Sequence, residues 1–155
     1  MKVTFLGGAD EVGASSTLVE IAGKRLLVDA GIRISPRTSR GIQNSQLPDL
    51  QIISAAGGPD FILVTHAHTD HTGALPLVVE QYPHVPVFMT RPTHSLVQTL
   101  QKDALNIMSS QYDQEGELPL FDRVAVDALM NAIQIVEFNQ PIRLGEGLQV
   151  TYHVS

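Results

Sequence analysis

The chain has 155 residues, 43% of them hydrophobic, a net charge of −6 and no cysteine. That is apolar material for one core, and a domain of this size buries roughly 68–70% of its unfolded surface; disulfides and thiolate metal ligands are excluded. No apolar run approaches the ~20 residues that span a bilayer, and the opening Met1 to Gly8 lacks the apolar core of a secretory signal, so a cytoplasmic location with no membrane contact is expected. The negative balance disfavours a free-standing nucleic-acid binder, because affinity for phosphate backbones comes mainly from Lys and Arg.

In chain order, Lys2 to Leu6, Ser16 to Ile21 and Arg25 to Ala30 have strand patterns, and Ala22-Gly23-Lys24 makes a tight hairpin turn between the last two. A long loop rich in Ser, Pro and Arg follows. Its Arg33, Arg37 and Arg40 read as a solvated loop, with an RNA path as the alternative. A helix is expected in Ser45 to Ser54, its start limited by Pro48. Phe61 to Thr65 reads as a buried strand, and Thr72 to Glu80 as a helix with Pro76 tolerated near its first turn.

Val85 to Met89 is the next expected strand, and Thr93 begins a helix. There Val97, Leu100, Ala104, Ile107 and Met108 recur at helical spacing as a core stripe. Gln111 to Pro119, with Asp113, Glu115 and Glu117 around Gly116, reads as an exposed loop that lacks the remaining ligands of a calcium loop. Phe121 to Ala132 is expected to be helical, with Asp122 near its cap and Val126, Leu129 and Met130 inward. Ile133 to Phe138 and Leu148 to Val154 then return to the sheet.

The chemistry is concentrated in Thr65-His66-Ala67-His68-Thr69-Asp70-His71, where four metal-competent side chains occupy six positions directly after an apolar run. Imidazole and carboxylate donors together suit a borderline divalent ion such as zinc. As the chain leaves the strand, alternate residues His66 and His68 can point the same way and share one ion. Asp70 and His71, at the start of the following helix, can face a second. Two ions roughly 3.5–4 Å apart clamp the attacking and leaving oxygens of a phosphodiester. The remaining histidines stand alone: His84 in a turn and His94 near a helix start are given no role.

Thr65 to Pro76, THAHTDHTGALP, resembles the signature of the metallo-β-lactamase superfamily, and within it of the β-CASP nucleases. Leu6 to Ser16 is similar to that family's glycine-rich opening segment, and Arg25 to Gly31 to its first acidic motif. The resemblance implies an αββα metallo-β-lactamase sandwich of class α/β, incomplete, with residues 1–155 forming its N-terminal half. It implies two zinc ions in the intact protein, with manganese possible in their place because His and Asp accept both. His66 and His68 would hold one ion, Asp70 and His71 the other. Asp70 would also be catalytic, orienting the water or taking its proton, and Asp29 would support the site by hydrogen bonding.

The C-terminal Gly147 to Ser155 is similar to the strand that in this family runs into the next ligand, with His153 on the strand and not at that ligand. The β-CASP domain and the later ligands are expected outside this chain. The expected function is therefore cleavage of RNA in the intact protein, the isolated piece being inactive. A metallohydrolase of small esters or thioesters and a non-catalytic interaction module are the alternatives. RNA is the expected partner, and self-association through an exposed sheet edge is a further one.

Overall fold

The computed structural model describes residues 1–10, 12–33, 46–116 and 118–154. Arg37, Arg40, Ser45 and Glu117 therefore lie outside the described residues, as does Glu11 of the opening segment. Strands β1 (Lys2–Gly7), β2 (Ser16–Ile21), β3 (Lys24–Val28), β4 (Phe61–Leu63), β5 (Val87–Thr90) and β6 (Ile133–Val136) form one sheet in sequential order. The first three pair antiparallel; β3 to β6 run parallel. Ile21 pairs with Lys24, so the β2–β3 hairpin turns on Ala22 and Gly23 alone, both at positive φ (50° and 73°) as a primed two-residue turn requires.

Alternation along the strands sorts side chains to two faces. Leu18, Leu27, Ile62, Val87 and Met89 point to one face and meet Ile53 of α1 (Leu50–Ala55), Val78 and Val79 of α3 (Leu75–Gln81), Val97 of α4 (Arg91–Glu115) and Leu129 of α5 (Arg123–Ala132). Leu26, Leu63 and Phe88 point to the other, where Leu144 and Leu148 of the hairpin β7 (Pro141–Gly145) and β8 (Leu148–Thr151) cover them. One sheet thus carries a full helical layer on one side and a single hairpin on the other, which is the incomplete αββα sandwich. No helix among the described residues is long and apolar enough to cross a membrane.

Several elements differ from expectation. The expected strand Leu148 to Val154 does not enter the main sheet: β8 pairs with β7 in a separate two-stranded sheet, and Tyr152 forms an isolated bridge with Phe138, past the end of β6. The backbone of Gln111 to Glu115 is helix, not loop. Pro92 fits the first turn of α4, where no intrahelical N–H is needed, and the helix runs on until Gly116 adopts φ 69°. In α4 the inward face is Thr93, Val97, Gln101 and Met108; Ile107 is 57% exposed. Each residue turns the helix by about 100°, which puts Ile107 at the rim of that face, on the far side of Thr93 from Met108. The helix expected over Thr72 to Glu80 is two: α2 (Thr69–Thr72) and α3, separated where the Ala74 amide leaves the helical pattern to bond the Ala30 carbonyl at 2.8 Å.

Two contacts register the edges of β3. At its start, Asp60 accepts from the Arg25 amide (2.8 Å) and from Arg25 Nε (3.1 Å), while Arg25 Nη1 donates to the Ala56 carbonyl (2.6 Å). At its end, the segment Asp29 to Ile32 takes the backbone of α2: the Ala30 and Ile32 amides bond the His71 and Thr69 carbonyls at 2.9 and 3.2 Å. Gly31 sits at the point of closest approach. A Cβ there would lie 1.6 Å from the Asp70 carbonyl oxygen, so no other residue fits.

Gly31→Ala is accordingly expected to separate the two segments and cost about 3 kcal/mol in thermal or urea unfolding. Asp60→Ala removes the acceptor of three donors of half-buried Arg25, its amide, Nε and Nη2, and should cost roughly 1–3 kcal/mol at neutral pH. Partial burial raises the Asp60 pKa, but the Arg25 side-chain and amide bonds outweigh this and hold it below 3.8. A depressed carboxylate stabilises above its unfolded value and loses that contribution as pH falls through the folded one. The gap between wild type and Asp60→Ala should therefore narrow below about pH 3.8.

Candidate metal centre

Ligand-bearing loops gather at the carboxyl ends of parallel strands, and here the ends of neighbours β3 and β4 carry Asp29 and the histidine motif. Asp29 leaves β3 at φ 60°, a left-handed conformation that Asp tolerates better than most residues, and is 3% exposed. A buried carboxylate needs hydrogen bonds to offset lost hydration. It receives three. Oδ1 accepts the Thr65 amide at 2.8 Å; Oδ2 accepts the Thr65 hydroxyl and His71 Nδ1, each at 2.7 Å.

These bonds set the imidazole tautomers. Having given its proton to Asp29, the Thr65 hydroxyl can only accept from His66 Nδ1, 3.0 Å away. His71 Nδ1 likewise must donate to Asp29. In a neutral ring the lone pair is then on Nε2, the atom facing away from Asp29. This is how a carboxylate behind a histidine orients it as a metal ligand. Burial first, then the charges of the His71 and His68 rings, lower the His66 pKa below its usual value despite the opposing carboxylates, which favours the neutral ring that ligation needs.

The structure brings together the expected set. The His66 ring lies 4.0 Å from that of His71 and 4.8 Å from that of His68. Asp70 Oδ2 stands 3.7 Å from His71 Nε2, beyond hydrogen bonding, so both atoms border the same space. His68 is the N-cap residue of α2, yet its side chain makes no capping bond and is exposed. Among the described residues no three His, Cys, Asp or Glu side chains are arranged to hold one ion. The donors fit a borderline divalent ion by type, and the His66 ring neighbours those of both His71 and His68.

The other histidines stay apart. His84 is exposed, His94 lies in the first turn of α4, and the exposed His153 pairs its Nδ1 with Asn139 Oδ1 at 2.8 Å. Arg33 is tied to the Leu47 carbonyl at 2.8 Å. Three contributors had no role in the sequence reading. Thr65 opens the motif and relays Asp29 to His66. Ser15 gives its amide to the Asp70 carbonyl at 2.8 Å. Tyr152 donates to the Phe88 carbonyl at 2.9 Å, and burial above all, with the Asp29 charge adding, raises its pKa far above the usual phenol value, so it is a neutral strut. Only Thr65 had a sequence signal, a hydroxyl adjacent to a candidate ligand.

The family described as "Metallo-beta-lactamase superfamily" matches residues 9–95. Integrator complex subunit 11 of Gallus gallus is 31% identical over 155 residues, covering 97% of this chain and 24% of that protein. Cleavage and polyadenylation specificity factor subunit 3-II of Arabidopsis thaliana is 30% identical over 150 residues, covering 94% and 23%. Transcription termination factor FttA of Methanocaldococcus jannaschii is 37% identical over 111 residues, covering 72% and 17%. The chain thus spans about a quarter or less of the length of these curated relatives. Among solved structures, metallo-beta-lactamase SMB-1 superposes with a TM-score of 0.55 at 20% identity, covering 97% of this chain and 49% of that one. A B3 metallo-beta-lactamase with an active-site glutamic acid gives 0.53 at 17%, covering 92% and 46%; at such identities the likeness shows the fold alone. The chain belongs to the metallo-beta-lactamase superfamily.

Proposed function

We propose that this chain is the N-terminal part of the metallo-β-lactamase domain of a zinc-dependent ribonuclease, and that it supplies half of a two-ion centre. The observation that carries the reading is the Asp29 carboxylate, which orients His71 directly and His66 through Thr65 while His68 and Asp70 stand beside them. Divalent ions bound there supply Lewis acidity and positive charge for attack of water on a phosphodiester. His66 and His68 are assigned to one ion, Asp70 and His71 to the other. Asp70 is assigned the proton of the attacking water.

The choice of RNA is supported by the relatives, one named for cleavage and polyadenylation and another for transcription termination. The chain's charge of −6 argues against RNA binding by this part alone. Bound divalent ions would reverse the local sign. That no three such side chains among the described residues are arranged to hold one ion supports a further part of the reading: by itself this piece holds zinc weakly and cleaves nothing.

The deciding experiment uses the longer protein. With zinc or manganese supplied, it should cut single-stranded RNA, and His66→Ala or Asp70→Ala should reduce cutting by about 10³-fold or more, in line with loss of a principal transition-state stabiliser. Two bound metals with thioester hydrolysis and intact RNA would overturn the ribonuclease reading. Thr65→Val conserves volume but removes the acceptor of His66 Nδ1. Zinc affinity measured by chelator competition should fall about tenfold, while an unchanged affinity would show that the relay through Thr65 is idle.

A further inference from the structure

We propose that Gln101, on α4 and outside the histidine motif, is a positioning residue for the metal centre; this rests on the metal reading above. Gln101 is 2% exposed. Its Nε2 donates to the Thr72 carbonyl at 3.0 Å, and its Oε1 is buried with no hydrogen-bond partner among the described residues. Packing alone would favour another residue. The neighbouring inward positions of α4 include Val97 and Met108, and an apolar side chain at position 101 would leave no acceptor unmatched.

What Gln101 holds accounts for its presence. Thr72 ends α2, four residues long and too short to be stable alone. Terminal helix carbonyls need outside donors, and Gln101 provides the one for Thr72. The Thr72 hydroxyl lies 3.1 Å from both the Ala67 and His68 carbonyls, and its amide bonds His68 at 3.0 Å. Hydrogen bonds therefore run from α4 through Thr72 into the backbone that carries His68. On the opposite side, the Ser15 and Ala30 amides hold the Asp70 and His71 carbonyls. The single turn bearing His68, Asp70 and His71 is clamped from both sides. From α4 the hydrogen bond to this turn comes from Gln101.

The test is Gln101→Met in the full-length protein, which keeps the side-chain length and removes both the donor and the orphaned acceptor. Cobalt(II) is titrated and followed by its visible ligand-field absorption, with the thermal midpoint measured in parallel. The expected result is a midpoint equal to wild type, cobalt affinity lowered roughly tenfold, the low end for outer-shell supports, and a changed ligand-field band. Affinity within twofold of wild type with an unchanged band would overturn the inference while leaving the metal reading intact. Wild type that takes up no cobalt would overturn both. Should Gln101→Met fail to fold, Gln101→Asn, too short to reach Thr72, is read by the same criteria.

Discussion

A single carboxylate organises the functional end of this molecule. Burying Asp29 at 3% exposure is tolerable only because three donors converge on it, and all three come from the histidine motif: the Thr65 amide, the Thr65 hydroxyl and His71 Nδ1. The same bonds dictate which nitrogen of His66 and of His71 remains available. Stability and ligand orientation are therefore one constraint. Anything that moves β4 relative to β3 disturbs both.

The sheet makes that constraint affordable. Parallel pairing of β3 with β4 aligns Val28 with Leu63, so the residues that follow each strand emerge side by side. Leu27 and Ile62 lock this register into the helical core, and Leu26 with Leu63 into the opposite face. Gly31 then lets the two backbones approach closely enough for amides of one to satisfy carbonyls of the other. The loop bearing the histidines is thus held largely by main-chain bonds.

Much of this was legible in the order of residues. Ser16 to Ile21 and the Ala22-Gly23 turn follow from alternation and turn chemistry, which are local. The helix ending at Ala132, with Asp122 capping the Ala125 amide, follows from periodicity and capping. The four donors at positions 66 to 71 were visible because crowding of such side chains has few structural explanations. Elements that depend on distant partners were less legible. The strand expected over Leu148 to Val154 was assigned to the main sheet, and its actual partner β7 was not anticipated, because a strand pattern does not name its neighbour. The inward face of α4 was misjudged at Ile107 because an apolar residue looks like core whichever way the helix is turned.

By itself the sequence determined the apolar periodicity, the turn positions and the type and spacing of the candidate metal donors, since each is encoded within a few residues. Tertiary structure alone decided that Thr65 relays Asp29 to His66, that Gly31 is the contact point with Asp70, and that Gln101 reaches Thr72. These pairs are separated by 29 to 39 positions in the chain or, for Thr65, depend on a carboxylate 36 positions away. Only the packing of α4 and the parallel pairing of β3 with β4 bring them within hydrogen-bonding distance, and neither is a property of any local stretch of residues.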